Sequence, residues 1–259
     1  MKFIAIIPAR YASTRFPAKP LALLRGKPII EHVYEKVNAV ISDTFVATDD
    51  RRILDAVNAF GGKAILTSSN HRSGTDRCEE AAEKCGIQGD VIINVQGDEP
   101  FIHPTQLQSV MECFENPDTD IATLVKPFDE NADISALRNP NSPKVVIGNN
   151  NQALYFSRSI IPYLRGVDEK EWLKHHTFYK HIGLYAYRRE VLKNITSLPA
   201  GMLEQAESLE QLRWLEAGLH ITVGYTEIET IGIDTPEDLQ RAEEFLRKKQ
   251  TFLGETANL

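Results

Sequence analysis

The sequence predicts an α/β fold, a mixed and mostly parallel sheet flanked by helices and interrupted by an antiparallel insertion, on three observations. Short apolar runs alternate with helical patterns through the first half, as in successive βαβ units. The run Asp90 to Val95 is strongly apolar, as a strand buried on both faces must be. From Ile121 to Tyr187 the strand candidates follow one another without full helices between them, as in an antiparallel excursion.

The elements follow in order. Phe3 to Ile7 is an apolar first strand, and a helix from about Pro28 to Val40 places Ile29, Ile30, Val33 and Val37 at helical spacing. Thr44 to Thr48 is a second strand, whose trailing Asp49-Asp50 can cap the helix Arg51 to Phe60. Lys63 to Leu66 is a third strand after the Gly61-Gly62 stop, Ser73 to Cys85 a helix, and Asp90 to Val95 the fourth strand. The insertion contributes Ile121 to Val125, Lys144 to Ile147, Ala153 to Phe156 and Ile182 to Tyr187, with Asn149-Asn150-Asn151 as a hairpin turn. A helix from Ala206 to Ala217 stopping at Gly218, a strand from Ile221 to Tyr225 and an amphipathic helix from Pro236 to Lys248 close the chain.

The 259 residues, 42% hydrophobic and 25% charged, are expected to form one domain spanning 1–259, with 121–190 as an antiparallel excursion within it. A net charge of −7 argues against nucleic acid or an anionic membrane as partner, so any anion binding falls to local basic loops. The three cysteines, Cys78, Cys85 and Cys113, match neither a zinc site nor a disulfide framework and read as buried thiols in a reducing compartment. No run approaches the ~20 apolar residues of a membrane helix, and the first apolar run is too short for a signal peptide. A cytoplasmic location is expected.

The chemistry gathers at the ends of strands, where open α/β sheets bind their ligands. Directly after the first strand, Pro8-Ala9-Arg10 opens a loop carrying Arg10, Arg15 and Lys19, stiffened by Pro17 and Pro20 and free of glycine until Gly26. Three cations within ten residues suit a ligand with several phosphates, held by side chains and backbone N–H groups and not by a glycine-rich cradle. Asn94-Val95-Gln96-Gly97-Asp98 follows the fourth strand, placing Asp98 at the same edge as the basic loop, with Gly97 allowing close backbone approach. Asp98 either caps the helix starting near Pro104 or ligates a divalent cation beside the phosphates. Asp234, ahead of Pro236 and the last helix, faces the same choice. Arg72 and Ser73 offer donors to a base edge or ribose, or Ser73 simply caps its helix while Arg77 pairs within it. Arg158 after a strand, His181 and Tyr185 on an alternating strand, and Glu204, Gln205, Glu210 and Gln211 line a pocket for a polyhydroxylated acid or are interface and surface polar residues.

Seven blocks in one order, IPARYASTRFPAKPL, VATDD, SGTDR, NVQGDEP, YFSRSIIP, HIGLYAY and GIDTPEDL, closely resemble the 3-deoxy-manno-octulosonate (Kdo) cytidylyltransferases, or CMP-Kdo synthetases, over nearly the whole chain. The resemblance implies a nucleotide-diphospho-sugar transferase-like, Rossmann-like fold and a homodimer assembled through the antiparallel insertion. It implies transfer of CMP from CTP to Kdo, with Mg²⁺ as cofactor and lipopolysaccharide biosynthesis as the destination. Carried over by motif, Arg10, Arg15 and Lys19 bind the triphosphate, Pro8, Ala9, Arg72, Ser73 and Gln96 frame cytosine and ribose, and Asp98 and Asp234 hold the metal, with Lys19, Arg10, Asp98 and Asp234 as the catalytic set. Arg158, His181, Tyr185, Glu204, Gln205, Glu210 and Gln211 surround the sugar.

The alternatives are a cytidylyltransferase for another acidic sugar, such as amino-substituted Kdo or sialic acid, and a non-catalytic nucleotide-binding regulator. One departure from the family pattern stands in the phosphate loop, where Ala18 occupies the usual glycine position. If that position requires φ > 0, alanine strains it.

Overall fold

The computed structural model describes residues 1–12, 15–86, 88–229 and 232–256. Ser13 and Thr14 of the basic loop and Ile231 at the late strand edge lie outside the described residues. In chain order, β1 (Phe3–Ala9) is followed by a short antiparallel ribbon of β2 (Leu23–Leu24) and β3 (Lys27–Pro28), then α1 (Ile29–Asn38). Next come β4 (Thr44–Thr48), α2 (Arg51–Ala59), β5 (Ala64–Leu66), α3 (Gly74–Lys84), β6 (Val91–Asn94) and α4 (Pro104–Glu112). The second half runs β7 (Ile121–Pro127), α5 (Ile134–Arg138), β8 (Lys144–Ile147), β9 (Ala153–Ser157), α6 (Trp172–His175) and β10 (Tyr179–Arg188). It ends with α7 (Arg189–Thr196), α8 (Met202–Glu207), α9 (Gln211–Glu216), β11 (Ile221–Tyr225) and α10 (Pro236–Thr256).

These elements form two compact units. The first comprises Ile4–Gln88, Asn94–Pro104 and the chain from Thr230 onward; the second comprises Met1–Phe3, Gly89–Ile93 and Thr105–Glu229. In the first unit, β1, β4 and β5 are parallel, with Ala5 opposite Thr44 and Val46 opposite Ala64. Both faces are covered, so Ile4, Ala5, Ile6 and Ile7 are fully buried and the strand reads as an unbroken apolar run. Helix α1 lays Ile29, Ile30, Val33, Tyr34 and Val37 into the core along one stripe, as its periodicity requires. Asp50 caps α2 by accepting from the Arg52 N–H at 2.9 Å.

In the second unit β11 lies parallel to β7, while β7, β10, β8 and β9 pair antiparallel in that order. The β8–β9 hairpin turns where the three asparagines stand, with Asn151 at φ 59°. The pairing of β10 with β7 slips at a bulge between Ile182 and Tyr185, so the simple alternation expected of this strand is broken there.

Two further expectations are corrected. The helix expected over Ala206 to Ala217 is two short helices, α8 and α9, separated by Ser208 in the left-handed region at φ 51°. Arg158 explains the break: its guanidinium donates to the carbonyls of Glu207 (2.6 Å) and Ser208 (3.1 Å), which a continuous helix would use internally. Of the three free cysteines only Cys78 is fully buried; Cys85 and Cys113 keep some exposure, and burial pushes the Cys113 thiol up to about 11.

In the first unit the loop before α3 is tied to that helix by one carboxylate. Burial alone would raise the Glu80 pKa, but bonds from Lys84, His71 and the Ser68 N–H hold it down to about 2. A carboxyl depressed on folding stabilises fully above its unfolded pKa and ceases to do so as pH falls through the folded value. We therefore predict that Glu80→Gln costs about 1–2 kcal/mol at neutral pH, after allowance for its partial exposure. The gap to the parent chain in urea unfolding should narrow as pH is lowered from about 5 to about 3.

Candidate active site

β1 ends at Ala9 and the basic loop leaves from it. The loop folds back on itself, the Ala18 N–H donating to the Tyr11 carbonyl at 3.0 Å and the Lys19 N–H to the Phe16 carbonyl at 3.2 Å. Phe16 packs against the cluster of Leu24, Ile29, Ile233 and Ala242, which anchors the loop from within. Tyr11 carries the guanidinium of Arg52 3.3 Å above its ring centre, and Arg52 in turn grips Asp50 with two bonds of 2.9 and 2.6 Å. Ala18 is left-handed at φ 59°, ψ 18°, immediately before the 3₁₀ turn Lys19–Leu21.

This geometry delivers the Lys19 ammonium between two carboxylates, 2.6 Å from Asp98 Oδ2 and 3.0 Å from Asp234 Oδ1. Arg15 reaches Asp234 from the other side at 3.1 Å. The Lys19 side chain is only 13% exposed and Arg15 is 66% exposed, so the lysine is the fixed charge and the arginine the solvent-facing one. Burial opposes the charged lysine, yet attraction and hydrogen bonds from Asp98 and Asp234 raise its pKa, so the ammonium persists.

Neither carboxylate caps a helix, so both are free for this role. The Asp98 carbonyl accepts from the Ile233 N–H at 2.9 Å, which lays the two loops side by side, while its side chain turns to Lys19 and not to the helix at Pro104. Ahead of α10, Thr235 is the N-cap: its hydroxyl accepts from the Asp238 N–H at 3.2 Å, and Asp238 accepts from the Thr235 and Asp234 N–H groups at 2.9 and 3.0 Å. Pro236 takes the first helical position, where no donor is needed. Gly97 sits so close to β1 that a Cβ there would lie 2.8 Å from the Pro8 carbonyl oxygen, which is why this position carries no side chain.

A cavity of about 350 Å³ opens here, entirely within the first unit. Pro8, Ala9, Arg10, Arg15, Lys19 and Gln96 line it together with Asp98 and Asp234. Arg72 and Ser73 are not among its lining residues: Arg72 is exposed, and Ser73 closes a capping box with Asp76. Gly74 and Arg77 line it in their place. Arg77 is 3% exposed and bonds Thr67 at 2.6 Å with Asp49 at 3.3 Å, so the intrahelical pair expected for it is replaced by contacts to the neighbouring loop and strand end. No signal in the sequence separated this buried arginine from an ordinary helical one.

The residues expected around a sugar lie in the second unit. Tyr185 packs edge-on against Trp214 at 5.1 Å, and His181 sits 5.3 Å from Tyr185 and 5.1 Å from Phe156. Gln211 and Trp214, three apart on α9, share a face and are buried. Gln211 Nε2 and Trp214 Nε1 are buried without a protein hydrogen-bond partner, and the Tyr185 hydroxyl lies beside that of Thr123. Burial, with Tyr187 and Glu210 nearby, raises the Tyr185 pKa well above its usual value, and burial pulls His181 down to about 4, so both are neutral at pH 7. Arg158 is held by three carbonyls, of Glu207, Ser208 and Pro140. Glu210 pairs with Arg213 at 2.7 Å, Glu204 closes onto the Gly201 N–H, and Gln205 is exposed and bonds the Ala200 carbonyl.

A cytidylyltransferase family profile matches residues 4–221. The chain belongs to the cytidylyltransferase family. It is 65% identical over 250 residues to the 3-deoxy-manno-octulosonate cytidylyltransferase of Phocaeicola vulgatus, covering 96% of this chain and 99% of that relative. It is 54% identical over 246 residues to the protein of the same name in Porphyromonas gingivalis, covering 95% and 97%. The solved structure of CMP:2-keto-3-deoxy-manno-octonic acid synthetase complexed with CTP superposes with a TM-score of 0.88 at 42% identity, covering 96% of this chain and all of that one, at 100%. A 4-diphosphocytidyl-2C-methyl-D-erythritol synthase from Anaerococcus prevotii shares the fold alone, with a TM-score of 0.57 at 14% identity over 95% of this chain and 99% of that one.

In this family member the alanine of the phosphate loop occupies a conformation that costs an L-residue roughly 1–2 kcal/mol. Ala18→Gly relieves that strain but adds unfolded-state entropy. The expected net gain is about 0.5–1 kcal/mol in denaturant unfolding. A loss of stability would show that the loop holds alanine without strain.

Proposed function

We propose that the chain transfers the cytidylyl group of CTP to the anomeric hydroxyl of Kdo, releasing pyrophosphate. The observation that carries this reading is the junction of Arg15, Lys19, Asp98 and Asp234 in a polar cavity at the end of β1. The names of the relatives, at 65% identity over 250 residues and 42% identity over 96% of this chain, support this choice of nucleotide and sugar.

Asp98 and Asp234 fit a Mg²⁺ ion. Both aim an oxygen at one ammonium-sized point, and no group of three or more His, Cys, Asp or Glu able to hold a metal occurs among the described residues. Two carboxylates with the rest of the shell left to phosphate and water is the arrangement Mg²⁺ favours. Bound there, the ion would supply charge neutralisation at the phosphates and acidify the attacking hydroxyl. Lys19, Arg10 and Arg15 bind and orient the triphosphate, and Pro8, Ala9 and Gln96 frame the nucleoside beside it. Catalysis is positioning and charge stabilisation, with direct in-line attack on the α-phosphorus and no covalent enzyme intermediate. Inversion of configuration at phosphorus is the corollary.

In the second unit, two buried donors lacking protein partners, on Gln211 and Trp214, suit a ligand rich in hydroxyls, since such groups rarely stay unmatched. Arg158 supports this pocket by fixing the junction of α8 and α9, the helices that carry Glu204, Gln205 and Gln211, with Glu210 directly before α9. We assign the product to lipopolysaccharide assembly and the enzyme to the cytoplasm. Association of two copies through residues 121–190 belongs to the same reading, and Leu154 and Tyr163 there are 61% and 76% exposed.

Pyrophosphate release measured over CTP and UTP, crossed with Kdo and sialic acid, should be confined to CTP with Kdo. Turnover with sialic acid instead would move the reading to another acidic sugar, and no release with any pair would leave a nucleotide-binding regulator. Asp98→Asn should lose roughly 100-fold in turnover with Tm changed by no more than about 4 °C. Arg158→Ala should raise KM for the sugar acid well above any change for CTP, because the junction it fixes lies among the sugar residues.

A further inference from the structure

The bulge in β10 creates a hydrogen-bonding problem that a single residue of β7 resolves. Between Ile182 and Tyr185 the ladder to β7 loses register, and the carbonyls of Ile182 and Leu184 both turn to the hydroxyl of Thr123, at 3.2 and 2.9 Å. The same hydroxyl lies 3.0 Å from His181 Nε2. Thr123 is fully buried, so this oxygen has no access to solvent for other partners.

A hydroxyl has one proton and two lone pairs, whereas a carbonyl can only accept. The one Thr123 proton serves a single acceptor, and the most contacts are matched when it goes to a carbonyl and the oxygen accepts from His181 and from the neighbouring Tyr185 hydroxyl. An acceptor at 3.0 Å requires the proton of a neutral imidazole to sit on Nε2. His181 Nδ1 has no hydrogen bond among the described residues, and the residue keeps partial solvent access.

We propose that Thr123 is a positioning residue that locks His181 in its Nε2–H tautomer, so that Nδ1 is presented as a hydrogen-bond acceptor to a hydroxyl of the acidic sugar. The last clause rests on the reading of the second unit as the sugar site. The remaining surroundings favour a neutral ring. Phe156 from β9 and Thr123 from β7 bring no charge, Tyr185 on the same strand is itself held neutral, and burial keeps His181 unprotonated down to about pH 4. A neutral acceptor distinguishes a hydroxyl from a carboxylate, which a protonated histidine would prefer.

Long-range ¹H–¹⁵N correlation spectra of the ¹⁵N-labelled full chain report the tautomer directly, without substrate. The expected result is Nε2–H for His181, unchanged from about pH 8 to about pH 5, lost or mixed in Thr123→Val and retained in Thr123→Ser. An Nδ1–H tautomer in the parent chain, or an Nε2–H tautomer unaffected in Thr123→Val, overturns the proposal. In steady-state assays Thr123→Val should raise KM for Kdo about tenfold, with a smaller change in kcat and none in KM for CTP, and Thr123→Ser should restore it. A tautomer lock as described, together with an unchanged sugar KM in Thr123→Val, overturns the recognition role and leaves pyrophosphate release from CTP with Kdo to decide the wider reading separately.

Discussion

Everything in the first unit is arranged around one ammonium group held between two carboxylates. Lys19, Asp98 and Asp234 are separated by 79 and 215 positions in the chain, and each is delivered by a different loop at the same end of the sheet. None of the three is tenable alone, because a mostly buried lysine without anions loses its proton and two facing carboxylates without a cation repel. With Arg15 on Asp234 as the second cation, the junction is self-neutralising in the chain as it stands. A triphosphate entering it brings several further negative charges toward Asp98 and Asp234. Lys19 cannot serve both the carboxylates and the phosphates, and the proposed divalent cation would supply the charge that is then lacking.

The backbone around this junction works by restriction. Pro8 lies between Gly97, whose absent side chain admits its carbonyl, and Gly74, where a Cβ would meet its ring at 3.3 Å. The loop to Lys19 is closed by two internal hydrogen bonds and by Phe16 in the core. Left-handed Ala18 is the residue that turns the chain into the 3₁₀ segment from which Lys19 projects. Strain at such a point persists only because its surroundings fix the loop on both sides.

The sequence made the strands legible, because burial on both faces leaves a continuous apolar signature at Phe3 to Ile7 and Val91 to Asn94. Helix boundaries came within a few residues where a cap is explicit, as at Asp50 and Ser73. What was not legible depended on contacts between distant segments. The break between α8 and α9 is set by Arg158, about 50 positions away, and nothing in the local run from Ala206 to Ala217 announces it. Arg77 looked like a helix-surface charge, and only the approach of Asp49 and Thr67 makes it a buried wall of the cavity. Asp234 stood between cap and metal ligand, and the cap proved to be its neighbour Thr235, whose pairing with Asp238 could have been read from the spacing.

The second unit meets the opposite difficulty. Where the first unit has charges that satisfy each other, the cluster around Gln211 and Trp214 holds polar atoms that no protein group satisfies. An apolar protein interior penalises each such atom by roughly 1–3 kcal/mol. A core built for stability alone would place phenylalanine and leucine there. At the bulge in β10 the carbonyls of Ile182 and Leu184 converge on one hydroxyl, that of Thr123, which has a single proton to give. Stability forgone at one patch is what the proposed role of this surface, holding a polar ligand, would require, and packing alone would not.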